Sequence, residues 1–154
     1  MKWNRKFVYP KSIRSTDNGI RRYLIGEKKL PSVTSILEAT KSEEDKAALA
    51  NWVERTGLKE SEAIVKAASS RGSKMHAYLE SFLLGRENLS FFDDNEQYKI
   101  MAKQIIEKGL INRFEEVWGV ECTLYKPDSY SGTCDAVGVY DGRESIIDFK
   151  QSNK

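Results

Sequence analysis

Along this chain apolar positions first alternate with polar ones, then recur at helical spacing, then alternate again. Near the N-terminus "KFVYPKSI" and "IRRYLIG" read as two strands joined across "STDNG", because Asn18-Gly19 tolerates the positive φ that a tight hairpin turn needs. "LPSVTSILEAT" predicts a short helix with Pro31 and Ser32 at its start. Ser42, followed three residues on by Asp45, predicts the cap of a second helix running through Leu49, Trp52 and Val53 towards Gly57. Helical periodicity resumes from about Lys59 to Leu84, with Gly72 as the place for a bend, and again from about Asn95 to Lys108. After "GLINRFEEVWG" the texture changes, and "VECTLY", "TCDAVGVY" and "ESIIDFK" predict three strands. The expected fold class is α+β within a single domain, residues 1–154. It comprises an N-terminal β-hairpin (1–31), a helical region (32–118) and a three-stranded antiparallel core sheet (119–150).

A chain of 154 residues can bury about two thirds of its unfolded surface. Its 40% hydrophobic and 31% charged residues suit a globular domain. No apolar run approaches the roughly 20 residues of a membrane span, and "MKWNRKFVYP" lacks the apolar core of a signal peptide. A cytoplasmic protein with no membrane partner is the resulting expectation. Cys122 and Cys134 are too few for a disulfide framework and lack metal-site spacing, so both read as reduced strand residues.

Charge changes the picture at the N-terminus. Residues 1–31 carry nine bases against two acids, interleaved with Trp3, Phe7, Tyr9 and Tyr23. Bases grip a phosphate backbone while aromatic faces stack on nucleobases, which makes Arg21, Arg22 and Tyr23 candidates for nucleic-acid contact. A solvated basic hairpin is the alternative.

The chemistry gathers near the other end. Asp141-Gly142 is a second favoured hairpin turn, and Asp135 and Asp148 lie equally far from it on either side. An antiparallel pair closed there sets the two carboxylates opposite each other, where they repel unless a cation or a proton lies between them. Lys150, two residues beyond Asp148, shares its face. Two carboxylates and an amine on one patch suit a hard divalent cation with a positive group beside it. Alone, a D-x-K tripeptide is more often a surface ion pair. In "RGSKMHAYLESFL" the sole histidine, His76, falls on one helical line with Gly72 and Glu80. Imidazole and carboxylate one turn apart can reach a single ion, although a lone histidine is commonly structural.

"RGSKMHAYLE", "YSGTCDAVG" and "IIDFK" resemble, in order, the signature segments of the RecB-like branch of the PD-(D/E)xK nuclease superfamily. "RRYLIGEKKLPSVTSIL" is similar to the lead-in of phage-encoded and mitochondrial genome maintenance exonucleases. The likeness spans about residues 21 to 150. It implies a restriction-endonuclease-like fold, α/β in superfamily terms, and a metal-dependent DNA exonuclease using Mg²⁺ or Mn²⁺ on single-stranded DNA or DNA ends. His76, Asp135, Asp148 and the Phe149 backbone carbonyl would be metal ligands, and Lys150 would position or polarise the attacking water. Glu80 would ligate or support the ligands. Glu121 borders the site or is a strand-edge glutamate, and Arg71 holds a phosphate or stays in solvent.

Family members continue past the lysine into a further helix and more sheet, so the fold is expected to be C-terminally incomplete. A shortened chain, a natural half completed by a partner chain or a second copy, and a stand-alone remnant would each explain this. The competing functions are a non-catalytic nucleic-acid-binding module and the N-terminal half of a split nuclease.

Overall fold

The computed structural model describes residues 1–86 and 96–151. In chain order the elements are β1 (Lys2–Trp3), β2 (Ile13–Asp17), β3 (Ile20–Ile25), β4 (Lys28–Pro31), α1 (Val33–Ala39), α2 (Glu43–Thr56), α3 (Leu58–Leu83), α4 (Gln97–Ile105), a π-helical turn over Ile106–Leu110, β5 (Phe114–Lys126), β6 (Tyr130–Tyr140) and β7 (Arg143–Ile147). The fold is α+β. The chain divides into two compact units, and α3, β5 and β6 contribute residues to both.

The first unit comprises Met1–Tyr9, Ser69–Cys122 and Thr133–Lys154. Its sheet has the order β1-β5-β6-β7. Asp141 and Gly142 both take positive φ, 46° and 74°, as a tight hairpin turn requires. That turn fixes the β6–β7 register from Tyr140↔Arg143 to Ala136↔Ile147. The short link from Lys126 to Tyr130 leaves β6 running back beside β5, since a parallel return needs a crossover of a dozen residues or more. The core packs Met75, Leu79 and Leu83 of α3 with Ala102, Ile106, Phe114, Val117, Ala136 and Phe149.

The second unit comprises Pro10–Ala68 and Thr123–Gly132. It holds the antiparallel sheet β2-β3-β4, with Tyr23 and Leu30 buried. The Ser32 hydroxyl caps α1 by accepting the Ser35 N–H. Ser42 caps α2 by accepting the Asp45 N–H, and Gly57 ends that helix at φ 87°.

Four strands depart from the sequence expectation. The first hairpin strand is Ile13–Asp17 and not residues 6–13. A two-residue turn at Asn18-Gly19 pairs Asp17 with Ile20 at once, so the ladder grows outward from the turn. Pro10, which has no N–H to donate, interrupts the stretch before it. β4 was not foreseen, because "KKLP" is charged and short; Gly26, at φ 59°, makes the turn that sets Ile25 opposite Lys28. The core sheet gains a fourth strand, since β1 pairs in parallel with β5 through Lys2↔Glu116 and Trp3↔Val117. β5 also begins at Phe114, inside the stretch read as helical, where Glu115 and Glu116 in succession hide the alternation. The helix expected from Asn95 runs from Gln97, and Asn95 itself lies outside the described residues.

Gly138 sits where β6 lies close against the backbone of β5. A Cβ there would collide with the Glu116 carbonyl oxygen and the Phe114 ring. Backbone cannot move aside as a flexible side chain can, so Gly138→Ala is expected to destabilise the protein by about 1–3 kcal/mol or more, as overpacking does. A lower urea midpoint would register it, and an unchanged midpoint would remove the close approach.

Candidate functional site

The C-terminal half of α3 has two faces. Met75 and Leu79 are fully buried, while Gly72, His76 and Glu80 follow one line on a different side. On that line His76 meets Asp135 of β6, with Nδ1 and Oδ1 3.0 Å apart. A carboxylate can only accept, so Nδ1–H donates. The second oxygen of Asp135 accepts the Phe149 N–H at 2.5 Å. Helix, strand and the segment after β7 therefore meet on one carboxylate, whose side chain is 13% exposed.

Glu121 joins this pair from β5. Ligand-type atoms of His76, Glu121 and Asp135 all lie within 4.8 Å of one another, a spacing able to hold a metal ion. Glu121 takes φ 51° inside a strand, a left-handed conformation that costs an ordinary residue roughly 1–2 kcal/mol. Alternation breaks there, because Cys122 and Thr123 are buried in succession. Such breaks re-aim side chains. Here the re-aimed side chain is the third member of the cluster.

Charge follows from this geometry. The hydrogen bond from Asp135 raises the His76 pKa above 6.5; burial opposes it, and the charges of Asp135, Glu121 and Asp148 add to it. For Asp135, burial works against ionisation. Its hydrogen bonds to His76 and the Phe149 N–H, with the charges of His76 and Lys150, outweigh burial and hold its pKa below the usual carboxylate value. Glu121 is raised, first by desolvation of its carboxyl and then by the charges of Asp135 and Glu80. Acids crowded to the point of mutual disfavour are a setting that a cation relieves.

The other expected residues divide. Strand pairing stops at Ala136↔Ile147, one residue short of setting Asp135 against Asp148. Asp148 instead engages Lys150, Nζ to Oδ2 2.7 Å, on an exposed face. Phe149, between them, points into the core, its ring 6.2 Å from the His76 ring and edge-on to it. The expected shared face of Asp148 and Lys150 is therefore present. Phe149 meets the site through its N–H, where the resemblance implied its carbonyl. Glu80 lies 3.6 Å from Arg86 and reaches Glu121 through its charge. The Arg71 Nε–H donates to Gln151 Oε1 at 3.1 Å, and Gln151 also lies against Gly72, where a Cβ would stand 3.4 Å from its amide nitrogen.

Arg21, Arg22 and Tyr23 belong to the second unit. Tyr23 is 7% exposed, so its ring fills that unit's interior and offers no face for a nucleobase to stack on. Arg21 pairs with Thr16 across the hairpin, and Arg22 with Ser15. The sequence underweighted Glu121, because a positive φ at a glutamate leaves no residue-type signal, and it missed Gln151, whose role depends on Arg71 eighty positions away. Cys122 and Cys134 are free, buried strand residues. Among the described residues no helix is long and apolar enough to cross a membrane.

No family model matches the chain. No solved structure matches it. The chain is similar to mitochondrial genome maintenance exonuclease 1 of Homo sapiens, 29% identical over 133 residues that make up 81% of this chain and 37% of the relative. It is likewise 29% identical over 130 residues to the Mus musculus protein of that name, covering 81% of this chain and 38% of the relative. The chain thus spans less than two fifths of the length of these curated relatives.

The raised His76 and lowered Asp135 values define a pH window. The His76 contribution to stability is complete below 6.5 and is lost as pH rises through its raised folded value. The Asp135 contribution is complete above its ordinary value of 3.8 and is lost as pH falls through its depressed folded value. His76 is the single histidine, so one imidazole resonance in a proton NMR titration reads the pair directly. Its midpoint is expected above 6.5 and should fall in Asp135→Asn; a wild-type midpoint at or below 6.5 would contradict the pairing.

Proposed function

We propose that this chain carries the phosphodiester-cleaving site of a metal-dependent DNA exonuclease of the PD-(D/E)xK type, acting on single-stranded DNA or DNA ends. The observation that carries this reading is the convergence of His76, Glu121 and Asp135 within 4.8 Å, with Asp148 and Lys150 next along the chain from the Phe149 N–H that Asp135 binds. Similarity to two exonucleases supports the reaction class.

The donor set suits a divalent cation. One imidazole nitrogen and two carboxylates are ligands that Mn²⁺ accepts readily and Mg²⁺ accepts chiefly through oxygen. His76, Glu121 and Asp135 would hold the ion, with Asp148 and the Phe149 carbonyl as further donors by analogy with the resemblance. When bound, Mg²⁺ or Mn²⁺ neutralises charge on the scissile phosphate and acidifies a water.

The remaining work falls to the chain's own groups. With both ring nitrogens protonated His76 could not ligate an ion, so metal binding and imidazole protonation would compete. Lys150, 2.7 Å from Asp148, stabilises negative charge on the attacking oxygen. Arg71, steadied by Gln151, offers a phosphate contact. The Phe149 ring closes the apolar side of the His76 imidazole.

Labelled single- and double-stranded DNA incubated with Mg²⁺ or Mn²⁺ tests this. Asp135→Ala, Asp148→Ala and Lys150→Ala are each expected to lower the cleavage rate by about 100-fold or more, and the cation is expected to move the His76 midpoint downward. Equal cleavage by wild type and all three variants would remove the site assignment. Binding without cleavage under either metal would favour a non-catalytic nucleic-acid-binding module.

A second part of the proposal concerns partners. Among the described residues β7 is an edge strand, with Ile146 66% exposed, which supports a complementing chain or a second copy packing on that edge. Light scattering is expected to report a dimer, or cleavage to rise when a complementing chain is added. A monomer with full activity would count against both.

A further inference from the structure

Within the second unit, β2, β3 and α1 line an open cleft of about 380 Å³. Small-ligand sites occupy roughly 300–1,000 Å³, so the cleft has room for one small organic group. Arg21 and Thr16 are direct cross-strand partners and therefore present their side chains on one face. Gly19, at the turn, adds no side chain to block that face. Thr34 and Glu38 approach from α1 one turn apart, on one side of the helix.

The chemistry of the lining is uneven. Ser35 is occupied: its hydroxyl accepts the Arg21 N–H and lies within hydrogen-bonding distance of the Arg21 carbonyl and of Ser32. Glu38 is held by Lys41 at 2.6 Å and retains a second oxygen as acceptor. Arg21 differs. Among the described residues its guanidinium enters no ion pair or side-chain hydrogen bond, although the cleft lies in its reach. The hydroxyls of Thr16 and Thr34 are likewise uncommitted among the described residues. Ile20 and Ala39 supply apolar surface.

One cation with two free hydroxyl donors, one carboxylate acceptor and an apolar wall are the complements of a nucleotide. We propose that this cleft binds a single unpaired nucleotide of a DNA strand, with its phosphate on Arg21, Thr16 and Thr34 and an N–H of its base on Glu38. A guanidinium matches phosphate in a bidentate fork. A base inside a duplex has its edge engaged and cannot enter so small a cleft, hence the unpaired strand. The choice of DNA over another nucleotide-bearing ligand rests on the nuclease reading, while the cleft and its donors do not.

The test measures binding of a fluorescein-labelled thymidine dodecamer by anisotropy in EDTA, where no metal-dependent cleavage occurs. Arg21→Ala is expected to weaken binding about tenfold, a loss of about 1.4 kcal/mol. It should also flatten the slope of log affinity against log salt by about 0.7, one single-strand phosphate contact. Thr34→Ala should weaken binding less, and Arg21→Lys should keep the salt slope while losing affinity. Thymidine monophosphate should displace the dodecamer at concentrations where inorganic phosphate does not. Circular dichroism melts check that each variant folds. Unchanged affinity and slope in folded Arg21→Ala would overturn the proposal, and equal displacement by inorganic phosphate would overturn the nucleotide in favour of a bare anion. Cleavage is assayed separately with Mg²⁺ or Mn²⁺. A chain that cleaves while Arg21→Ala binds like wild type loses the cleft and keeps the nuclease; one that binds through Arg21 but never cleaves loses the nuclease and keeps the cleft.

Discussion

Both oxygens of Asp135 are committed, one to the imidazole of His76 and one to the backbone N–H of Phe149. A carboxylate inside a folded layer is costly unless its lone pairs are satisfied, and this one is satisfied by two elements far apart in sequence. The hydrogen bonds therefore do structural and chemical work together. They bring the α3 face to β6 and hold the residues after β7 in line with the sheet. They also set the opposed pKa directions that leave Asp135 ionised and His76 prone to hold a proton.

Around that carboxylate the core supplies registration. Met75 and Leu79, on α3 beside His76, are fully buried and fix the rotation of the helix. Phe149 is buried in the same cluster and fixes the phase of the last residues, so that Asp148 and Lys150 must face outward together. Gly138 lets β6 approach the β5 backbone, and the left-handed Glu121 turns a strand glutamate toward the pair. Two backbone peculiarities in neighbouring strands thus accompany a three-residue cluster.

Turns and caps were the legible part of the sequence, because their chemistry is local. Asn18-Gly19, Asp141-Gly142, Ser42 and Gly57 each announce a backbone conformation that few other residues support. The Asp141-Gly142 turn also carried the β6–β7 register correctly, and the line of Gly72, His76 and Glu80 on one helix was readable from spacing alone. What stayed hidden depends on tertiary contact. A two-residue strand such as β1 exists only because β5 offers it a partner. β4 is charged enough to pass for a loop. Asp135 chooses His76 and the Phe149 amide over a direct face-off with Asp148, since two donors satisfy a carboxylate and a second carboxylate repels it. Tyr23 reads as a stacking residue by composition and lies inside its unit by packing.

The D-F-K tripeptide has one further consequence. Phe149 is anchored, yet the side chains on either side of it are 51% and 79% exposed, whereas Asp135 is nearly enclosed. The cluster is therefore stiff on one side and compliant on the other. A lysine fixed in one rotamer loses up to roughly 2 kcal/mol of side-chain entropy, and this one, 79% exposed, keeps much of that freedom beside Asp148. An occupant small enough to touch only the stiff side would leave the lysine free to wander, whereas one that spans both sides would recruit it. Three consecutive residues thus combine one anchored side chain with two exposed ones.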